Sequence, residues 1–118
     1  MAKILLIEDD NLTRITIGRF LRGEGYEVEE AEDGAKALAL LESERFDLIV
    51  SDIVLPKASG FAVLDHATAA SPSTPVIFVT AYSAMQSQAA TRPVRVILKP
   101  ILLDDLLSAV QSALGQQP

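Results

Sequence analysis

Ile4-Leu5-Leu6-Ile7-Glu8-Asp9-Asp10 is four consecutive apolar residues followed without a break by three acids. A strand wetted on one face alternates apolar and polar residues, whereas a short unbroken apolar run fits a strand buried on both faces. Leu48-Ile49-Val50 and Val76-Ile77-Phe78-Val79 have the same character. Tyr26-Glu27-Val28-Glu29-Glu30 alternates instead, and Val94-Arg95-Val96-Ile97-Leu98 carries a charge near its start. The first three runs read as central strands and the last two as edge strands.

Segments of helical period separate them. Asn11 to Glu24 places Leu12, Ile15, Ile17, Phe20 and Leu21 at mostly helical spacing, with Gly25 as the stop. Asp10 or Asn11 is the expected cap. Asp33-Gly34 reads as a turn before a helix from Ala35 to Leu41, with Ala37, Leu38 and Leu41 on one face. Gly60 to Ala70 offers Phe61, Leu64 and Ala67. Ile101 to Leu114 offers Leu102, Leu103, Leu106, Leu107, Val110 and Leu114, with Asp104 and Asp105 near its start, where the helix dipole favours negative charge. Ser83 to Thr91 has Met85 and several alanines but no strong stripe, and Arg92-Pro93 ends it. A shortened, poorly anchored fourth helix is expected there, open to hydrogen exchange across Ala84 to Ala90.

Strand followed by helix, repeated, implies a parallel sheet with right-handed crossovers and helices on both faces, an α/β domain in three layers, α/β/α. With the first strand buried and the second and fifth at the edges, the simplest five-stranded order is 2-1-3-4-5. In such sheets the functional crevice lies beyond the carboxyl ends of the strands, at the switch between the first and third. Chemistry is therefore expected after strands 1, 3 and 4, and after strand 5.

At 118 residues the chain fits one domain, 1–118, with Gly115-Gln116-Gln117-Pro118 as a flexible tail. Its 49% hydrophobic content is enough for a substantial core. The formal net charge of −6 argues against direct contact with nucleic acid, which needs clustered Lys and Arg, and against an anionic membrane surface. The absence of cysteine excludes disulfides, zinc-thiolate sites and thiol catalysis. The N-terminal apolar run is too short for a signal peptide, and no run approaches a membrane span. A cytoplasmic setting is expected.

Glu8, Asp9 and Asp10 follow the first strand, Asp52 the third, Thr80 the fourth and Lys99-Pro100 the fifth. The topology makes these positions converge. Carboxylates brought together repel, so either some bind protons or a cation neutralises them. With hard oxygen donors and no Cys or nearby His, that cation is Mg²⁺, or Mn²⁺ in its place. Taken alone, an acidic pair after a strand serves as a helix cap just as readily. Asp52 is the candidate nucleophile, because a carboxylate can attack phosphorus to form an aspartyl-phosphate. A magnesium ion would offset the repulsion between the anions. Lys99 would add a mobile positive charge, and the Thr80 hydroxyl a hydrogen bond.

In order and spacing, Ile4 to Asp10, Asp52-Ile53-Val54-Leu55-Pro56 with Gly60, Val79-Thr80-Ala81 and Leu98-Lys99-Pro100 resemble the signature of response-regulator receiver domains. These are the flavodoxin-like, chemotaxis-regulator-like switches of two-component phosphorelay signalling. Ala31-Glu32-Asp33-Gly34-Ala35-Lys36-Ala37-Leu38 resembles the family's second loop and helix, and the resemblance covers essentially the whole chain. It implies Asp52 as the phosphoacceptor. It implies a Mg²⁺ cofactor held by Asp9 directly, by Glu8 through water, by Asp52 and by the backbone carbonyl of Val54. Lys99 would bind the phosphoryl group and Thr80 would turn toward it, with backbone N–H groups of Ile53 and Ala81 as further contacts. A cis Lys99–Pro100 bond is also implied. The implied partners are a sensor histidine kinase or phosphotransfer protein and a downstream protein target. The domain would act as a switch rather than an enzyme, with phosphotransfer and autodephosphorylation its only chemistry.

The chain departs from the family at Val96, where Tyr or Phe is usual, and at Ile101, where Phe is common. The segment from Thr80 to Lys99 is a few residues shorter than usual. By the same resemblance, Val54 and Tyr82 fall where the family tunes access of water to the aspartyl-phosphate, so slower hydrolysis than in a Val54→Asn variant is expected. His66 reads as a solvent-facing helix residue, and Lys57 and Ser59 carry no assigned chemistry. Three other readings compete. A pseudo-receiver would keep the fold as an interaction module without using phosphate. A phosphatase of the haloacid-dehalogenase type needs a second acid two residues after the nucleophile, where this chain has Val54. A flavin carrier needs a phosphate-friendly loop after the first strand, where Glu8-Asp9-Asp10 would repel the phosphate.

Overall fold

A computed structural model describes residues 1–81 and 94–116. In chain order the elements are β1 (Lys3–Ile7), α1 (Asn11–Gly23), β2 (Glu27–Ala31), α2 (Gly34–Ser43), β3 (Leu48–Asp52), α3 (Gly60–Ala70), β4 (Val76–Thr80), β5 (Arg95–Leu98) and α4 (Leu103–Ala113). The strands form one parallel sheet in the order β2-β1-β3-β4-β5, as the burial patterns anticipate. The expected short helix at 83–91, with Met85, and also Tyr82 and Arg92-Pro93, lie outside the described residues.

Period-two alternation in the buried strands divides their side chains between two cores. Ile4, Leu6, Leu48, Val50, Ile77 and Val79 face one side, where Ile17 and Leu21 of α1 and Leu106, Ala109 and Val110 of α4 cover them. Leu5, Ile7, Ile49, Val76 and Phe78 face the other, under Ala37 of α2 and Val63, Leu64 and Ala67 of α3. Phe61 meets Phe78 edge to face, with ring centroids 5.4 Å apart. The edge strands are wetter, as their sequences require. β2 exposes Glu27 and Glu29, and β5 exposes Arg95 and Leu98.

Three helices start on a side chain that accepts from a backbone N–H three residues on, which satisfies a donor the helix itself leaves unpaired. Asp10 accepts from Thr13 N at 2.8 Å, Asp33 from Lys36 N at 2.8 Å and Ser59 from Ala62 N at 3.2 Å. Asp33-Gly34 is therefore the start of α2 rather than a separate turn. Ser59, to which the sequence assigned no chemistry, is a cap. Leu12 and Ile15 do not join the buried stripe of α1; they are 76% and 41% exposed. At about 100° per residue, Ile15 points nearly opposite Ile17. Leu102 precedes α4 instead of packing within it, and it is exposed.

Candidate functional site

Register places the site. Ile7 pairs with Ser51, Asp52 with Val79 and Thr80 with Leu98. One step past each pairing, Glu8, Asp52, Thr80 and Lys99 stand side by side along the carboxyl edge of four adjacent strands. The Glu8 N–H donates to the Ala31 carbonyl at 3.0 Å and the Lys99 N–H to the Thr80 carbonyl at 2.8 Å, so the sheet ladder continues into the site. The loop after Asp52 is folded back on itself by the Gly60 N–H, which donates to the Ile53 carbonyl at 2.8 Å. A Cβ on Gly60 would lie 2.5 Å from the Asp52 carbonyl oxygen, so only glycine permits this approach.

Carboxylate oxygens of Glu8, Asp9 and Asp52 lie within 4.8 Å of one another. Glu8 is 3% exposed and Asp52 9%, while Asp9 faces solvent. Lys99 Nζ bridges the two buried acids, at 2.5 Å from Glu8 Oε1 and 2.9 Å from Asp52 Oδ2. Burial pushes the Glu8 carboxyl above the ordinary range, the Lys99 hydrogen bond opposes that shift, and the Asp52 charge adds to it. Burial alone would lower the Lys99 ammonium, but its bonds to Glu8 and Asp52 outweigh burial and hold it above its usual value. Lys99 is therefore a fixed positive charge at neutral pH.

Thr80 is fully buried beside this group, and the Lys99–Pro100 peptide is cis. Ala81 is exposed at the end of β4. The Ile53 N–H, expected to face a phosphoryl group, donates to the Val79 carbonyl at 3.3 Å. The N–H beside the carboxylate is that of Val54, 3.2 Å from Asp52 Oδ1. Sequence gave no signal for it, because a backbone donor carries no residue identity. The Asp10 carboxylate caps α1 instead of joining the cluster, although the Asp10 N–H donates to Glu8 Oε2 at 3.5 Å, and His66 is half-buried on α3. Lys57 has a positive φ of 68° and pairs with Asp33 at 3.5 Å, tying the loop after Asp52 to the start of α2.

The donor set fits a hard divalent cation: three carboxylates within reach of one ion, no sulfur or imidazole, and one acid open to water. Among the described residues no helix is long and apolar enough to cross a membrane.

Comparison with known proteins agrees with this geometry. The family model for the response regulator receiver domain matches residues 4–111. The chain is 34% identical over 117 residues to the response regulator receiver protein CpdR of Brucella abortus, covering 97% of this chain and 98% of that one. Other curated relatives are longer transcriptional regulatory proteins, of which the chain spans 26% or 27%. A receiver domain protein from Methanospirillum hungatei superposes with a TM-score of 0.91 at 31% identity, over 98% of this chain and 94% of that one. The response regulator TrrA of Thermotoga maritima, solved with Mg²⁺ and beryllofluoride, superposes with a TM-score of 0.87 at 30% identity, over 96% and 99%. A parallel sheet ordered 2-1-3-4-5, an acid cluster bridged by a lysine at its carboxyl edge and a family match along nearly the whole length place this chain in the response-regulator receiver domain family of two-component signalling.

Proposed function

We propose that Asp52 accepts a phosphoryl group from the phosphohistidine of a sensor kinase or phosphotransfer protein, in a reaction that needs Mg²⁺, and that its occupancy changes which proteins the domain binds. The observation that carries this reading is the Lys99 ammonium, which sits between Glu8 and Asp52. Burying two carboxylates side by side is costly unless a cation offsets them. The same cation would meet the phosphoryl oxygens that arrive on Asp52.

Glu8, Asp9, Asp52 and the Val54 carbonyl are the groups that would hold the ion. When bound, it neutralises charge on the phosphoryl oxygens. The chain's own residues do the rest. The Asp52 carboxylate attacks phosphorus, forming a P–O bond as the bond from phosphorus to the donor nitrogen breaks. The Val54 N–H steadies the carboxylate, Lys99 pairs with the transferred group, and the Thr80 hydroxyl and the Ala81 N–H are its hydrogen-bond donors. Val54, 46% exposed, stands beside the new bond, where an apolar side chain hinders attacking water. Downstream effects are those of a switch, a change in which proteins the domain binds.

Acetyl phosphate or beryllofluoride added with Mg²⁺ tests this. Amide signals of Thr80, Ala81 and Lys99 should shift, and a Mg²⁺-dependent mass gain of one phosphoryl group should appear with acetyl phosphate and vanish in Asp52→Asn. A protein that ignores both reagents is an interaction module that does not depend on phosphate.

A further inference from the structure

Arg14, on α1, reaches back to the acidic loop. Its Nη1 donates to the Glu8 carbonyl oxygen at 2.9 Å and its Nη2 to Asn11 Oδ1 at 2.7 Å, while Nε lies 3.4 Å from Glu30 Oε1. All three corners of the guanidinium are engaged, and the side chain is 12% exposed. The Glu8 carbonyl belongs to the peptide group that joins Glu8 to Asp9. Clamping it sets the direction in which both acids leave the end of β1.

The clamp is anchored from the far side. Glu30 Oε2 also accepts from Arg22 Nη1 at 2.8 Å, and Arg22 Nη2 donates to the Val28 carbonyl at 2.8 Å. Glu30 can lie across α1 because residue 18 has no side chain. A Cβ on Gly18 would come within 2.8 Å of Glu30 Oε2. Glycine inside a helix costs about 1 kcal/mol relative to alanine, and the space it leaves here is filled by this carboxylate.

We infer that Arg14 is a positioning residue for the cation site, holding the Glu8–Asp9 peptide in the orientation that lets both acids face Asp52. The inference rests on the reading of Glu8, Asp9 and Asp52 as a divalent-cation site. Charge alone makes the opposite forecast. Arg14 is a cation near an acidic cluster, so its removal should relieve repulsion and tighten cation binding. Positioning demands weaker binding, since groups that orient metal ligands from behind are worth roughly 10–100-fold in affinity. Lysine is no substitute, because one ammonium cannot span the three acceptors that the planar fork holds.

Titration calorimetry with MgCl₂ on the full chain separates these outcomes. Arg14→Gln should raise the dissociation constant by about tenfold, and Arg14→Lys, which keeps the charge, should raise it as well. Arg19→Gln, which removes an exposed charge from the same helix, should leave it unchanged. Urea midpoints recorded in parallel show that each variant is folded during the titration. A purely structural role would move the midpoint and not the dissociation constant. Arg14 variants that bind Mg²⁺ as well as or better than the parent overturn the inference and leave the site reading intact. A parent protein that does not bind Mg²⁺ overturns both.

Discussion

Replacing Lys99 by Met removes the cation that, among the described residues, bridges Glu8 and Asp52. Methionine is unbranched, one atom shorter than lysine, and removes the charge. Glu8 and Asp52 are then left with their oxygens within 4.8 Å and no ammonium between them. Two unit charges at that separation repel by about 3.5 kcal/mol at an effective dielectric of 20, and by about 0.9 kcal/mol at that of water. Lys99 is 23% exposed, so the site lies between these limits, and a loss of about 1–3 kcal/mol is expected without divalent ions. A proton on Glu8 offers partial relief. Burial already lifts this carboxyl, and losing Lys99 removes the main opposing influence. The folded variant therefore holds its proton more tightly than the unfolded chain does, so its deficit should shrink at pH 5.5 and grow at pH 8. Lys99 also competes with Mg²⁺ for the same oxygens. Without it Mg²⁺ should bind about tenfold more tightly, equivalent to about 1.4 kcal/mol. Urea unfolding followed by far-ultraviolet circular dichroism, with EDTA or with saturating MgCl₂, measures all of this. The gap between parent and variant should be wide in EDTA and should narrow with the ion. A variant as stable as the parent in EDTA, or one that gains less from Mg²⁺, would refute the account of Lys99 as the cluster's internal counter-ion.

Other perturbations probe the scaffold. Leu106→Ala empties a fully buried position in the core beneath α4 and should cost about 2–5 kcal/mol, read from the urea midpoint. Gly60→Ala drives a Cβ to 2.5 Å from the Asp52 carbonyl and 2.8 Å from Ile53 Cα. Both are backbone atoms, so a loss of about 1–3 kcal/mol and poorer labelling of Asp52 by acetyl phosphate are expected. The Lys36 N–H holds the Asp33 carboxyl below its ordinary value of 3.8. A group depressed in the folded state stabilises above its unfolded pKa, and that contribution is lost as pH falls through the lower folded value. Asp33→Asn retains a capping oxygen but does not titrate, so between pH 5 and 3 it should lose less stability than the parent in acid titrations. Val54→Asn should shorten the lifetime of the Asp52 phosphate formed from acetyl phosphate, and equal lifetimes would remove the shielding role given to Val54.

Much of this was legible in one dimension. The apolar runs at Ile4, Leu48 and Val76 mark strands buried on both faces, and the alternation at Glu27 to Glu30 marks an edge. Strand order follows from which runs are buried. The change from apolar to acidic at Ile7–Glu8, and the positions of Asp52, Thr80 and Lys99 at or just past strand ends, mark residues that converge because a parallel sheet brings all its carboxyl ends to one rim. Helix faces were read less well. Leu12 and Ile15 look like stripe residues by spacing, but the angle at which α1 docks on the sheet decides which stripe is buried.

Residue type and periodicity are local properties, and they sufficed for the identity of the strands, their order and the short set of polar residues at their ends. Contacts between distant residues are not local. Lys99 reaches Glu8 across 91 positions and Asp52 across 47. The Val54 N–H beside Asp52, the Arg14 clamp on the Glu8 carbonyl and the space left by Gly18 for Glu30 depend on backbone direction and helix docking. Those are settled only when both cores pack at once, because each distance of a few ångströms is the sum of many elements finding their places together.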